Sequence, residues 1–289
     1  MLRHYFRQAG HLATQAIFAR KRFKLLLRGS LQDMDSRIQG VTAASNFFSN
    51  FVRPVVIDAP FGKSMLVIAP HQDDEAIGCG GALALQVRSG QKSVVMILED
   101  GAGEYDQVSM KRDALRDLRN NESRSAAEVI GAEEPIFLNS EDLRKDIEKL
   151  VVAMKSVIRE REVDAIFVPF VLDGNMDHKV CDVIVAKALK ELNRPLRVFQ
   201  YEVWGNCIPN VVVIIDKVIQ QKDAMLSCFR FANAAFDYAH ATKGLNMMHS
   251  RLLPSGKAKY VEAYFETPRE EFIELVCAVS KAEGGRLAV

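Results

Sequence analysis

The chain has 289 residues, of which 48% are hydrophobic and 26% are charged, and its formal net charge is +1. This composition is typical of a globular protein with one sizeable domain, and the near-neutral charge gives no reason to expect a nucleic-acid partner. The apolar runs are too short to span a membrane. The five cysteines are scattered and form no Cys-x-x-Cys pair, which favours a reducing, cytoplasmic location over a disulfide framework.

The positive charge is concentrated at the start of the chain. Residues 1–30 contain seven Lys and Arg and no acidic residue, so the remainder carries a formal charge of −6. Apolar side chains in 2–18 fall on one helical face, which predicts a basic amphipathic helix. Such a helix either lies on the inner, anionic face of a membrane or packs on the following domain with a solvated basic face. A transit peptide is a third, weaker interpretation. We expect residues 1–60 to form this segment and a connector, and residues 61–289 to form one domain.

Strand and helix patterns alternate from residue 64 onward. The pattern predicts strands over 65–69, 93–98, 135–138, 165–169, 198–204 and 210–215. It predicts helices over 76–89, 107–130, 142–161 and 177–192, and mostly helix beyond residue 216. This alternation predicts an α/β, Rossmann-like fold with a mostly parallel sheet and helices on both faces.

A histidine and three carboxylates follow the first predicted strand, in Ala69-Pro70-His71-Gln72-Asp73-Asp74-Glu75. In open α/β sheets, binding sites form at the carboxyl ends of the strands. Clustered acids are costly to bury unless a cation is present, and His with Asp is a plausible set of zinc ligands. The alternative is a solvated acidic turn in which Asp73 or Asp74 caps the following helix.

A second Asp/His cluster, Leu172-Asp173-Gly174-Asn175-Met176-Asp177-His178, follows the strand that ends at Pro169. A parallel sheet brings both strand ends to the same edge. His71, Asp74 and His178 would then supply three ligands and leave a fourth position open to water, which is the pattern of a catalytic zinc site. A Mg²⁺-dependent phosphoester hydrolase is a weaker alternative, because hard cations prefer oxygen ligands to two histidines.

These two motifs carry a family resemblance. The segment 69–81 resembles the PHPDDE-type signature of the LmbE/PIG-L family of zinc-dependent N-acetylglucosaminyl deacetylases, and 172–178 is similar to its second motif, HxDH. Weaker matches occur in 119–138, in 201–210 and in 261–265, so the resemblance covers about 64–266. It implies an LmbE-like fold and hydrolysis of the acetamide of a GlcNAc-type amino sugar within a glycoconjugate or a nucleotide- or lipid-linked intermediate.

The resemblance also implies the roles of the site residues. His71, Asp74 and His178 would ligate one Zn²⁺ per chain, and Asp73 would be the general base for the attacking water. Asp177 would orient a neighbouring ligand or the base.

The sequence departs from the family pattern at two positions. Gln72 replaces the motif proline, so the turn loses a fixed φ angle. Asn175 replaces the first histidine of HxDH, which in the family is understood to stabilise the oxyanion and to protonate the departing amine. An amide can donate a neutral hydrogen bond but cannot transfer a proton. Asn175 is included among the predicted catalytic residues. It also favours an alternative class of protein, a catalytically silent relative that binds a sugar or scaffolds an assembly.

Three further residues are predicted to bind substrate, each with an ordinary structural alternative. Arg119 either binds a substrate phosphate or forms a salt bridge with Glu122 one helical turn away. Asp100 either lines the pocket or stabilises a turn. Trp204 either stacks on a sugar ring or lies in the core. Homo-oligomerisation is left open.

Overall fold

The computed structural model of the protein describes residues 54–103, 109–192 and 194–282. Within them one sheet is formed by the strands β1 (Val55–Ile57), β2 (Ser64–Ala69), β3 (Lys92–Glu99), β4 (Ile136–Ser140), β5 (Ala165–Pro169), β6 (Arg197–Tyr201), β7 (Val211–Ile214) and β8 (Val261–Pro268). The α-helices of the same ranges are α1 (Asp74–Arg88), α2 (Arg112–Ile130), α3 (Ile147–Glu160), α4 (Met176–Lys190), α5 (Ile219–Leu226), α6 (Arg230–Ala235), α7 (Tyr238–His249) and α8 (Arg269–Ala282).

The strand order in the sheet is β1-β7-β8-β6-β5-β2-β3-β4. Strand β8 runs antiparallel to its neighbours β6 and β7, and every other pair is parallel. The predicted α/β fold with a mostly parallel sheet is therefore confirmed. No helix in the described ranges has the length and apolarity needed to cross a membrane.

Helices cover both faces of the sheet. Alternate side chains of β2 point to opposite faces, as the period of a strand requires. Leu66 and Ile68 pack with α3, α4 and α8, whereas Met65 and Val67 pack with α1, α2 and α5. All four side chains are fully buried, so β2 lies at the centre of a three-layer structure.

The predicted elements are found, and the boundaries of three of them differ from the prediction for reasons that the structure shows. Helix α2 begins at residue 112 and not at 107, because Lys111 is extended and Ser109 has a φ of 55°. Helix α3 begins at residue 147, because the carboxylate of Asp142 accepts a hydrogen bond from the backbone N–H of Arg144 and holds a turn there. Strand β6 ends at Tyr201 and not at residue 204.

Two strands were not predicted. Strand β1 lies within the predicted connector and pairs with β7, so the sheet begins before the predicted boundary at residue 60. Strand β8 lies in the predicted helical tail and inserts between β6 and β7. The basic segment 1–30 lies outside the described residues, and its interpretations remain predictions.

The topology brings the two motif-bearing loops together. The chain passes from β2 to β3 on one side, and β5 pairs with β2 on the other side, with Met65 opposite Ala165 and Val67 opposite Phe167. Strands β2 and β5 thus flank a switch point in strand order, where open α/β sheets leave a crevice at their carboxyl edge. The loops after both strands face this crevice.

Candidate metal centre

Asp73 occupies a strained turn between β2 and α1. Its φ of 123° and ψ of −30° are rarely adopted by a residue with a side chain. The backbone carbonyl of Asp73 accepts hydrogen bonds from the N–H groups of Ala76 and Ile77, but its carboxylate makes no capping bond to the helix. The capping alternative is therefore wrong for Asp73. Such strain is typical of functional sites, where the surrounding structure fixes a side chain in place.

The three predicted metal ligands converge. The Oδ2 atom of Asp74 lies 3.1 Å from Nδ1 of His71 and 3.3 Å from Nε2 of His178. A tetrahedral zinc with bonds of roughly 2.0–2.1 Å separates its ligand atoms by about 3.3 Å, so the spacing fits this ion. Both ring nitrogens of His178 are buried and have no hydrogen bond within the described part of the chain. These observations fit a cation among the three donors.

Carboxylates lie behind both histidines. The Nδ1 atom of His178 lies 3.3 Å from Asp173, and Nε2 of His71 lies 3.4 Å from Glu99 and 3.8 Å from Asp177. Carboxylates behind metal-bound histidines fix the ring orientation and the tautomer. Asp177 thus lies where an orienting residue is expected. Glu99 and Asp173 were missed, although Glu99 ends a strand at the same sheet edge and Asp173 belongs to the second motif.

The electrostatics of the pocket favour a positive charge. Burial opposes the charged form of His178, yet the carboxylates of Asp74 and Asp173 raise its pKa to about 10. Burial likewise opposes charging of His71, but Asp177, Asp74 and Glu99 raise its pKa well above the usual value. Burial would raise the pKa of Asp74, but the two histidines hold it well below its usual range. A divalent cation would meet the same demand for positive charge.

Asp73 stands beside this set with a pKa suited to proton transfer. Burial and the negative charge of Asp74 raise the pKa of Asp73 to about 7, while Arg119, His71 and His178 oppose the rise. The guanidinium of Arg119 lies 3.7 Å from Oδ2 of Asp73. A general base works best when its pKa is close to the working pH. The pocket therefore contains a suitable base next to the candidate cation site.

Arg119 is held by backbone oxygens. It donates hydrogen bonds to the carbonyls of Gln72 and Gly101, and it forms no salt bridge with Glu122 within the described residues. The carboxylate of Glu122 accepts a hydrogen bond from the backbone of Phe231. The alternative of an Arg119–Glu122 salt bridge is therefore wrong, and Arg119 braces the turn that carries Asp73.

Gln72, which replaces the family's proline, is fully buried. Its side-chain amide donates to the carbonyls of Glu99 and Asp100 and to the side chain of Asn120. These bonds join the turn after β2 to the end of β3 and to α2. The side chain of Gln72 thus anchors the turn without the fixed φ of a proline.

Three other predicted residues have clear placements. The side chain of Asn175 caps α4 by accepting a hydrogen bond from the N–H of Asp177. Asp100 is buried and accepts hydrogen bonds from the N–H of Ala102 and from Arg112, which favours the turn interpretation. Trp204 is 57% exposed, so the core interpretation is wrong.

Comparison with known proteins agrees with the family resemblance of the two motifs. Residues 66–189 match the family model PIG-L, GlcNAc-PI de-N-acetylase.

Two curated relatives resemble parts of the chain. A stretch of 134 residues is 33% identical to a diacetylchitobiose deacetylase of Thermococcus kodakarensis, covering 43% of this chain and 48% of that protein. A stretch of 123 residues is 26% identical to the uncharacterized deacetylase YaiS of Escherichia coli K12, covering 40% and 62%. The matches thus span about half the length of the first relative and less than two thirds of the second.

Solved structures share the fold. An N,N'-diacetylchitobiose deacetylase from Pyrococcus horikoshii aligns with a TM-score of 0.63 at 17% identity, over 88% of this chain and 94% of that one. A 4-carboxy-2-hydroxymuconate hydratase from Pseudomonas putida KT2440 aligns with a TM-score of 0.59 at 20% identity, over 71% and 96%. The predicted LmbE-like fold is confirmed. Because one of these neighbours is a hydratase, the fold alone does not determine the reaction.

Proposed function

We propose that this protein is a zinc-dependent deacetylase that hydrolyses the acetamide of a GlcNAc-type amino sugar, releasing acetate and a free amine. The observation that carries the proposal is the convergence of His71, Asp74 and His178 beside Asp73, whose pKa of about 7 suits a general base. The PIG-L match and the relative named for diacetylchitobiose support the substrate class. A glycoconjugate or a nucleotide- or lipid-linked sugar is the proposed carrier.

Zinc would be held by Nδ1 of His71, Oδ2 of Asp74 and Nε2 of His178. When bound, it would supply a Lewis acid and a lower pKa for a coordinated water. Asp173, 3.3 Å from the other ring nitrogen of His178, and Glu99, 3.4 Å from that of His71, are the carboxylates that would hold the N–H of each ring. The tautomer of each ring is thereby fixed so that the remaining nitrogen presents its lone pair.

Asp73 performs the proton transfers. Its carboxylate takes a proton from the attacking water as the water oxygen bonds to the acetyl carbon. The C–N bond then breaks, and the proton passes from Asp73 to the departing nitrogen. Arg119 keeps the carboxylate in position throughout, because its guanidinium is anchored on two backbone carbonyls and lies beside Asp73.

Asn175 does not supply this proton, since an amide is not an acid in this pH range. Its oxygen accepts from the backbone of Asp177, which leaves the amide nitrogen as the group that can donate a hydrogen bond to the substrate. Both proton transfers are therefore assigned to Asp73.

The test begins with the metal content of protein purified without chelators. We expect about one zinc per chain, and its loss in Asp74→Ala. A panel of N-acetyl sugars is then screened for amine release. Asp73→Asn should retain zinc and lose turnover by a factor of about 10² or more, the range of general acid–base effects. Asp113→Asn, an exposed change on α2, is the matched control and should retain both.

Two results would contradict the proposal. Protein that takes up no zinc even when zinc is added would refute the ligand assignment. Wild-type turnover in Asp73→Asn would refute the role of the base.

A catalytically silent, sugar-binding relative is the second candidate function, and the capping role of Asn175 favours it. Its signature is saturable sugar binding without amine release. The variant Asn175→His separates the two cases. A large gain in turnover from near zero would indicate a decayed enzyme, whereas a loss of turnover would show that Asn175 is adapted to the substrate of this protein.

A further inference from the structure

Arg119 is held from several sides, and one of its contacts comes from a distant part of the chain. Its guanidinium donates hydrogen bonds to the carbonyls of Gln72 and Gly101 and lies 3.7 Å from the carboxylate of Asp73. The face of the same group lies over the ring of Phe231, 5.3 Å from the ring centroid. A guanidinium is attracted to an aromatic face, most strongly where water is excluded, and the contact fixes the orientation of its plane.

A second residue of the same helix places Phe231. Glu122 lies one turn after Arg119 on α2, and its carboxylate accepts a hydrogen bond from the backbone N–H of Phe231 at 3.1 Å. Burial raises the pKa of Glu122, while hydrogen bonds from the backbone of Phe231 and Arg230 oppose the rise. The first N–H groups of a helix have no partner within it, and a carboxylate is a favourable acceptor for them. Glu122 thus fixes the start of α6 at the point where Phe231 reaches Arg119.

Helix α6 is a short element with few anchors. It has six residues and no fully buried side chain, and Ala232 packs only at the edge of the core. The amide of Asn233 donates hydrogen bonds to two backbone carbonyls just before the helix. The chain beyond the helix is tied through Tyr238, whose ring contacts Trp204 edge to face at 5.9 Å between ring centroids. A helix of this length is not stable without tertiary contacts, so its start depends on the hydrogen bond from Phe231 to α2.

We propose that Glu122 and Phe231 are positioning residues, which hold the guanidinium of Arg119 against the carboxylate of Asp73. This inference rests on the proposed function and extends it to a part of the chain beyond residues 66–189, the segment that matches the family model. A base that takes a proton from one atom and passes it to another depends on close placement, whereas the contacts that bind the substrate are untouched. Loss of either positioning residue should therefore lower kcat and leave KM nearly unchanged.

The first measurement is the rate of amine release by full-length, zinc-loaded protein, with N,N'-diacetylchitobiose as the probe. Phe231→Ala should lower kcat about tenfold, which corresponds to the loss of a contact of about 1.4 kcal/mol, with a change in KM below about twofold. Phe231→Tyr retains an aromatic face and should restore most of kcat. Phe231→Leu retains bulk without a π-system and should not.

The same measurement applies to Glu122. Glu122→Ala should lower kcat by a similar factor, and Glu122→Gln, whose side-chain oxygen still accepts a hydrogen bond, should restore most of it. Two matched controls should retain the kcat of the wild type. Phe236→Ala truncates an aromatic side chain that is 54% exposed, just beyond α6, and Glu128→Ala removes an exposed carboxylate from α2.

A double-mutant cycle with Arg119→Met separates positioning from a general loss of structure. If Phe231 acts through Arg119, adding Phe231→Ala to Arg119→Met should lower kcat by less than about twofold, whereas independent effects multiply. A tenfold loss in both backgrounds would overturn the proposal.

The second measurement does not require turnover. The ring of Phe231 shields protons above its face, so the N–H resonances of the Arg119 guanidinium, identified by their absence in Arg119→Met, should move downfield in Phe231→Ala and in Glu122→Ala. Unchanged resonances in both variants would overturn the proposal. Amine release at wild-type kcat in Phe231→Ala would overturn it too and leave the proposed function standing. The expected shifts in a protein that releases no amine would support the placement of Arg119 and contradict the proposed function.

Discussion

Replacing Glu262 by Gln is expected to destabilise the protein by about 3–5 kcal/mol. The reason lies in α1, which is interrupted at Cys79, where φ is −143° and ψ is 21°. The interruption leaves backbone groups without partners inside the helix. The two oxygens of Glu262 accept hydrogen bonds from the N–H groups of Gly81 and Ala82, each at 2.7 Å, across about 180 residues of sequence. Glu262 therefore caps the second half of α1.

Lys222 completes the arrangement on the other side of the break. Its ammonium donates hydrogen bonds to the carbonyl of Ile77 and to Glu262, and the hydroxyl of Tyr264 donates to the second oxygen of Glu262. Lys222 and Glu262 are each 1% exposed. The pair thus replaces the missing helical hydrogen bonds with charged groups that have little access to water.

The magnitude follows from what the substitution leaves behind. Glutamine removes the negative charge and leaves the ammonium of Lys222 buried and unpaired, which costs about 3–5 kcal/mol in measured cases. The amide N–H of the glutamine would also face the N–H and O–H donors that now bind the carboxylate of Glu262. In the double variant Lys222→Met/Glu262→Gln the stranded charge is absent, so part of the loss should be recovered.

The free energy of unfolding is measured by urea titration of each variant. Glu266→Gln is the matched control, because it lies on the same strand and breaks an ion pair with Arg197, which is 46% exposed. Its cost should stay below about 1 kcal/mol. Zinc affinity, measured by competition with a chelator, should fall in Glu262→Gln, because α1 carries Asp74. A cost for Glu262→Gln no larger than that of the control would refute the reasoning.

Three other expectations concern packing, pH and the N-terminal segment. Gly78→Ala should lower the free energy of unfolding in urea by about 1–3 kcal/mol, because the new methyl would lie 2.1 Å from the ring of Tyr201. Gly244→Ala on α7 meets open space and should raise the free energy of unfolding by about 0.5–1 kcal/mol. Burial raises the pKa of Asp182 well above its usual value, so the folded state retains a proton that the unfolded state releases, and stability falls as pH rises above the unfolded pKa. The Tm of Asp182→Asn relative to wild type should therefore increase from pH 5 to pH 8, and a constant difference would contradict this. Replacing the basic residues of 1–30 by Gln should weaken binding to anionic vesicles if this segment contacts a membrane, and unchanged binding would exclude the contact.

The ligand set could be predicted from sequence because two simple regularities act together. Buried strands are read from apolar runs such as 65–69 and 165–169, and parallel strands present their carboxyl ends at one edge. The loops and helix starts that follow those strands carry His71, Asp74 and His178, which are therefore brought to the same edge. The motifs add specificity to this geometry, and the predicted convergence is what the structure contains.

The remaining walls of the pocket could not be predicted, because they depend on contacts between distant segments. Glu99 resembles any charged residue that ends a strand until β3 is placed next to β2. Tyr238 lies 34 residues beyond Trp204 in a region without clear periodicity, so their contact has no local signal. The insertion of β8 between β6 and β7 also has no local signal. A strand is recognised by alternating apolar and polar residues, and the charge of Glu262 breaks this alternation. Its partner, Lys222, lies 40 residues away in the sequence.

The division of the pocket along the chain has a consequence for how such a protein can diversify. The three donor residues fall between positions 71 and 178, within the segment that matches the family model, whereas residues 230–238, which form α6 and the start of α7, lie beyond it. Helix α6 has no fully buried side chain, although Ala232 packs against the edge of the core and the guanidinium of Arg119 lies over the ring of Phe231. The candidate metal ligands and residues 230–238 are thus encoded in separate stretches of the chain. Substitutions in 230–238 leave the donor set unchanged, and they reach Asp73 only through the contact of Phe231 with Arg119.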